Sequence, residues 1–257
     1  METAEKKQRQ HPDIVAGRNA VLEALRSGRT IDKIDILAGE GKGSIGKIAA
    51  MARQAGIPIR ETSAQKLDKL CPGVNHQGVV AFVAAHDYAT LDDIFARAQA
   101  QGEAPFLLIA DELEDPHNLG AIIRTAEACG AHGIVIPKRR SVGLTSTVYK
   151  TAAGACEYLP VARVSNLASA IDEMKQRGLW IYGADMDGEN WCSQDYTGGV
   201  GLVIGAEGFG ISRLIKEKCD FIVSLPMCGK ISSLNASVAA GILMYEVTRQ
   251  RRHIPAK

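Results

Sequence analysis

From Phe106 onward, short apolar runs alternate with stretches of helical spacing, and few architectures accommodate that rhythm. Phe106–Ala110, Gly133–Ile136, Tyr158–Val164, Leu179–Ala184, Gly201–Gly205 and Phe221–Leu225 read as strands, being apolar throughout and too short for helices. Between them, spacing predicts helices from Leu119, near Thr145–Ala152, over Leu167–Arg177 and over Ile211–Lys218, with a last one running to about Arg249. Continuously apolar strands separated by helices need cover on two sides. The expected fold is therefore α/β: a mainly parallel sheet with helices on both faces.

The preceding residues repeat the alternation on a smaller scale. Gly17–Ser27 holds Ala20, Val21, Ala24 and Leu25 at helical spacing, with Gly28 placed to stop the helix. Ile31–Leu37 reads as a strand, Ser44–Ala55 as a helix ended by Gly56, Ile57–Ile59 as a strand, Ala64–Leu70 as a helix and Gly78–Ala84 as a strand. The chain thus divides into a disordered polar tail at 1–13, a small α/β domain at 14–85, a linker at 86–105 and a large domain at 106–257. Within the linker, Leu91, Ile94, Phe95 and Ala98 are spaced for one amphipathic helix.

Three strand–loop–helix junctions carry the chemistry. In the last, Pro226 ends a strand because it has no N–H to donate, and Gly229 loosens the loop. Ser232, Ser233, Asn235 and Ser237 then crowd a helix start that needs only one capping side chain, so the surplus points to a ligand or substrate site. The middle junction, Val203–Ile211, runs into a glycine-rich turn with Glu207 at its tip. Glu207 also excludes a dinucleotide site there, since it occupies the third fingerprint position, where glycine is required and a carboxylate would repel a pyrophosphate. The first junction, Leu107–Glu127, carries Asn118 and Arg124.

In this order the three junctions resemble motifs one to three of the SpoU group of RNA ribose 2′-O-methyltransferases, closely over 106–250 and more loosely over 14–85. Within that group the chain most resembles the bacterial enzymes that methylate a guanosine of 23S ribosomal RNA. The resemblance implies a SPOUT-type trefoil knot in the large domain, which general topology rules would not predict. It also implies S-adenosylmethionine held by Ile204, Gly205, Leu225, Met227, Ser233 and Leu234. Gly205 and Gly208 would permit close backbone approach, and the leucines and Met227 would offer apolar surface to an adenine. Arg124 matches the arginine assigned to activate the ribose hydroxyl. A guanidinium, which holds its proton too firmly to act readily as a base, suits a phosphate clamp and alkoxide stabiliser, and the identity of the base stays open.

Asn118 and Asn235 would orient their neighbours, Glu207 would hold Arg124 or a backbone N–H, and Ser233 would bond donor or ribose. His117 stands outside this catalytic set. One departure from the group's pattern is Ala236, where valine is common, and it bears on packing rather than chemistry. The small domain is similar to ribosomal RNA-binding proteins. Its Arg18, Asn19, Arg26, Arg29, Lys33, Asn75, His76 and Gln77 are the expected RNA contacts. The group also implies a homodimer through the large domain, for which the last helix offers Val238, Ile242, Leu243, Tyr245 and Val247.

Composition sets limits. Net charge is +1, so an RNA surface must come from local clusters such as Lys138–Arg140 or Arg249, Arg251, Arg252 and His253. The second cluster equally suits a helix C-terminus. Six cysteines, none in a C-x-x-C pair, argue against zinc and a disulfide framework, and no apolar run is long enough to cross a bilayer. A reduced cytoplasmic protein without metal or membrane contact is expected. A transfer-RNA methyltransferase is the near alternative, disfavoured by the N-terminal domain. A non-catalytic RNA-binding or ribosome-assembly protein would not need Asn118, Arg124, Glu207, Ser233 and Asn235 together.

Overall fold

The computed structural model describes residues 14–26, 29–40, 43–83 and 87–255. The expected tail at 1–13 and the helix stop at Gly28 lie outside these residues. The chain forms two compact units that divide between Asp87 and Tyr88.

In the first unit, β1 (Ile14–Ala16), α1 (Arg18–Arg26), β2 (Ile31–Leu37), α2 (Gly43–Gln54), β3 (Ile59–Thr62), α3 (Ala64–Leu70) and β4 (Val79–Val83) make a sheet of order β1-β4-β2-β3. β4 is antiparallel to β1 and β2, while β2 and β3 are parallel. Val21, Ile34, Ile45, Ile48 and Val79 are fully buried in its core. β3 begins at Ile59 rather than Ile57. The Ile57 N–H turns back to the Ala52 carbonyl at 2.8 Å, and Pro58 contributes only a carbonyl, which accepts from the Ile34 N–H at 2.9 Å.

Several residues expected to face RNA are engaged inside this unit. Arg18 donates to Glu40 at 2.6 Å and to the Gln77 carbonyl at 2.9 Å, while Gln77 Oε1 accepts from the Arg18 backbone N–H. His76 Nδ1 accepts from the Gly78 N–H at 3.0 Å, with Nε2 3.1 Å from Asp68, and Lys33 lies over the Phe82 ring.

The second unit contains α4 (Leu91–Gln101), β5 (Phe106–Ala110), α5 (Pro116–Ala128), β6 (Gly133–Pro137), α6 (Ser146–Ala152), β7 (Val161–Val164) and α7 (Leu167–Gln176). It continues with β8 (Leu179–Asn190), β9 (Gly199–Ile204), α8 (Arg213–Lys218), β10 (Phe221–Ser224) and α9 (Ala236–Arg251). The sheet has the order β10-β8-β9-β5-β6-β7, and every pairing in it is parallel. Side chains alternate across β5 as the period of two requires. Phe106, Leu108 and Ala110 join the core with α5, α6 and α9, and Leu107 and Ile109 join the one with α4, α7 and α8.

The expected linker is largely part of this unit. Thr90 and Asp93 form a reciprocal capping box at the start of α4, and Gly102 ends it in the left-handed conformation. Ile94 fills the second core, packed so closely on Gly133 that a Cβ there would lie 2.5 Å from it. Three further boundaries differ from expectation. α5 starts at Pro116, capped by Asp115, and not at Leu119. β7 waits until Val161, because Ala155–Glu157 form a short 3-10 turn before Pro160. β8 runs well past Ala184 to Asn190. The C-terminal basic residues are used within the unit: Arg249 pairs with Glu246, and Arg251 donates to the carbonyls of Ala104 and Pro105. Among the described residues, no helix is long and apolar enough to cross a membrane.

Candidate active site

The three junctions meet at the C-terminal ends of β5, β9 and β10. After β5, the Asp111 N–H donates to the Ile204 carbonyl at 2.9 Å, and its buried carboxylate accepts from the Ser212 N–H at 2.7 Å. The first loop is thereby tied to both ends of the second. That second loop is closed by paired bonds between Ala206 and Gly210, at 3.0 and 2.9 Å, and holds Glu207 at its tip. Gly205 is glycine for a local reason: a Cβ would sit 2.1 Å from the carbonyl carbon of Gly210. The close approach anticipated at this position is thus, first, an approach of the loop to itself. After β10 the third loop leads to α9, where Asn235 caps the helix through the N–H groups of Ser237 (3.0 Å) and Val238 (3.3 Å).

Asn118, Glu207 and Asn235, one from each junction, are bonded to one another. Asn118 Nδ2 donates to Glu207 Oε2 at 3.1 Å, and Asn235 Nδ2 donates to Asn118 Oδ1 at 2.9 Å and, more weakly, to Glu207 Oε2 at 3.4 Å. Asn118 is 4% exposed, so its amide has little alternative to these partners. Both of these partners of Glu207 are neutral amides, so neither is a cation that offsets a carboxylate.

Arg124 is not its partner. The arginine is exposed on α5 and makes no ion pair or hydrogen bond with any described residue, Glu127 included. Six residues of helix place it roughly 240° around the axis and about 9 Å along it from Asn118. His117 is exposed, with Nδ1 3.4 Å from the Thr151 hydroxyl, and takes no part in the cluster.

Beside the cluster opens a cleft of about 220 Å³. Ile204, Gly205, Leu225, Met227, Ser233 and Leu234 all line it, as does Glu207, whereas Asn118, Arg124 and Asn235 do not. Ile204 and Val223 give it a buried apolar floor, and Met227 and Leu234 remain about a third exposed at its rim. Ser232, part of the polar surplus before α9, lines it too, whereas sequence reasoning missed Asp185, Met186 and Phe209 on its walls. Asp185 and Met186 lie just past an apolar run that ends at Ala184, so only their nearness to a strand end could have singled them out. Asp185 Oδ2 lies 3.0 Å from Lys216 Nζ, which also donates to Asp187 at 2.6 Å, and the hydrogen bonds that Lys216 donates to Asp187 and Asp185 hold its pKa up. The charged residues lining the cleft are both acidic. An apolar floor, accessible backbone and a negative rim suit a cationic ligand with a flat ring. No group of three or more metal-ligating side chains occurs among the described residues.

The model of the SpoU rRNA methylase family matches residues 105–245. The chain belongs to this family. The match spans the three junctions, so the bonded cluster and the cleft lie within the SpoU methylase portion. Residues 14–89 match a second model, that of RNA 2′-O ribose methyltransferase substrate binding, which corresponds to the first unit. A similar relative is YacO of Bacillus subtilis, named for the TrmH family of tRNA/rRNA methyltransferases, 54% identical over 95% of this chain and 98% of its own. Among solved structures, the SpoU methyltransferase AviRb of Streptomyces viridochromogenes, in complex with the cofactor AdoMet, has a TM-score of 0.60 at 27% identity, covering 93% of this chain and 90% of its own. An AdoMet-bound rRNA methyltransferase of Sinorhizobium meliloti has a TM-score of 0.58 at 25% identity, covering 95% of this chain and 88% of its own.

Proposed function

We propose that this SpoU methylase transfers a methyl group from S-adenosylmethionine to the ribose 2′-hydroxyl of a guanosine in 23S ribosomal RNA, as the bacterial 23S enzymes it resembles do. The observation that carries the proposal is the cluster of Asn118, Glu207 and Asn235 at the edge of a cleft lined by Ile204, Gly205, Leu225, Met227, Ser233 and Leu234. A ribosomal substrate is favoured over transfer RNA because the first unit matches a substrate-binding model. The Sinorhizobium rRNA methyltransferase, moreover, is similar over nearly the whole chain.

When bound, the donor supplies an electrophilic methyl group on a sulfonium. The chain's residues do the rest. Ile204 and Leu225 give an apolar bed to the adenine, Ser233 bonds donor or ribose, and the net charge of Glu207 favours a cationic ligand beside it. Asn118 and Asn235 keep Glu207 in place. Arg124, exposed and with no partner among the described residues, is available to an RNA phosphate and to the negative charge that develops on the 2′-oxygen. Methyl transfer asks chiefly for such positioning.

The family's trefoil knot and a homodimer belong to the same reading. α9 exposes Val238, Ile242 and Tyr245 along one side while burying Ala240, Leu243 and Val247 on the other, which offers an apolar face beside the cleft. The enzyme would work in the cytoplasm, where ribosomal RNA is made. Transfer of tritium from labelled S-adenosylmethionine to purified 23S RNA, followed by mass-spectrometric mapping, tests the assignment. Label in transfer RNA instead, or a methyl on a base, would overturn it.

A further inference from the structure

The ladder between β8 and β10 contains a large irregularity. Ile222 pairs with Gly183, but the next residue, Val223, pairs with Glu189. Residues 184–188 therefore have no partner across β10 and leave the line of the sheet, as an oversized bulge that re-aims side chains. The excursion is fastened at its far end. The Ser224 hydroxyl donates to the Gly188 carbonyl at 2.8 Å, and Gly188 sits so close to Ile222 that a Cβ would lie 2.5 Å from its carbonyl carbon. Near its start, Ala184, Asp185 and Met186 all line the cleft.

Asp185 is held on two sides. Oδ1 accepts from the Met186 N–H at 2.7 Å, and Oδ2 faces Lys216 of α8 at 3.0 Å. The side chain is 18% exposed. A carboxylate has about four acceptor positions, so roughly two stay open to the cleft. The two carboxylates of the excursion behave differently from Glu207. Lys216, gripped by both Asp185 and Asp187, offsets charge there, so what Asp185 presents to the cleft is hydrogen-bond acceptance more than net charge. A vicinal diol answers that need, with two O–H donors at the spacing of two carboxylate acceptors. Carboxylates bind nucleoside ribose this way on an unrelated fold. The donor carries one such diol, on its adenosine.

We propose that Asp185 is a donor-binding residue whose carboxylate accepts hydrogen bonds from the ribose diol of the adenosine moiety. This assignment rests on the reading of the cleft as the methyl-donor site. Lys216 and the 184–188 excursion act as positioning elements, holding the carboxylate at the cleft wall.

The test is isothermal titration of the full chain with S-adenosylhomocysteine and with its 3′-deoxyadenosyl analogue. Wild type should bind the parent ligand roughly tenfold or more tightly than the analogue, the scale of one hydrogen bond to a charged group. Asp185→Ala should lose more affinity for the parent ligand, which offers both hydroxyls, than for the analogue, which keeps only the 2′-hydroxyl. If the alanine variant does not fold, Asp185→Asn, of equal size, takes its place with the same expectation of a several-fold loss that is larger for the parent. Unchanged affinity in a folded variant, or equal losses for both ligands, would overturn the role of Asp185 alone. Absence of any binding by folded wild type would instead overturn the donor site, and this assignment with it.

Discussion

Asn235 Nδ2 donates to Asn118 Oδ1 at 2.9 Å, joining the cap of the last helix to the first turn of α5 across 117 residues of chain. Asn235 thus has two separable duties, since its Oδ1 caps α9 while its Nδ2 orders the cluster. Asn235→Ser keeps a capping oxygen but cannot reach Asn118. Stability should fall by no more than about 1 kcal/mol while methyl transfer falls tenfold or more. Asn235→Ala removes the cap as well, at a cost of about 1–2 kcal/mol. Thermal melts beside transfer assays separate the two duties.

Arg124 has no partner to lose among the described residues. Arg124→Ala should leave the melting temperature and S-adenosylhomocysteine affinity unchanged, and lower turnover roughly a hundredfold, the scale of removing one preorganised charge stabiliser. Near-normal turnover would make it an ordinary surface arginine.

Substitution at Gly205 should act through the loop before it acts on any ligand. Gly205→Ala places a methyl against the Gly210 carbonyl and should both destabilise the chain and abolish donor binding. At Gly208, with φ +82° and no neighbour within 4 Å of a Cβ, alanine should cost about 1–2 kcal/mol through backbone strain alone. Calorimetry with and without S-adenosylhomocysteine distinguishes these outcomes.

Truncation should respect α4. Residues 88–257 should fold, bind S-adenosylhomocysteine, run as a dimer in light scattering and methylate 23S RNA at a small fraction of the full rate, with a shallower salt dependence. Residues 104–257 lack Ile94 and should melt lower. Full activity from 88–257 would deny the first unit its role in RNA binding.

His132 predicts a response to acid. Its ring is fully buried, Nδ1 accepts from the Phe106 N–H at 2.9 Å, and burial pushes its pKa below the usual value despite Glu103 at 3.5 Å. The neutral form is the folded one. Its contribution is therefore complete above about pH 6.5 and declines as pH falls toward the lowered folded-state value. Urea midpoints should drop between pH 7 and pH 5, and His132→Asn should flatten that drop.

Periodicity located β2 and α3 to the residue because each buries a face of ordinary length. β1 escaped notice, since three residues show no period, and the tail of β8 did too, because an excursion out of a sheet has no reason to be apolar. The polar surplus around Asn235 and the lone carboxylate at Glu207 were visible as anomalies. That they bond through Asn118 is a tertiary fact which local spacing does not encode. Arg18, His76 and Gln77 taught the opposite lesson: polar residues that suggested RNA hold one another and Glu40, Asp68 and Gly78 in place.

The bond between Asn118 and Asn235 also bears on synthesis. β5 pairs with β9, joining Phe106 to Val200, and the cluster closes only when the cap of α9 arrives. The sheet of the first unit, by contrast, uses only β1 to β4 and is complete by Val83. Domains fold as they emerge from the ribosome, and long-range parallel pairing is slow. A growing chain would therefore have its first unit complete while the cleft was still missing a wall, and would close that cleft only once α9 had emerged.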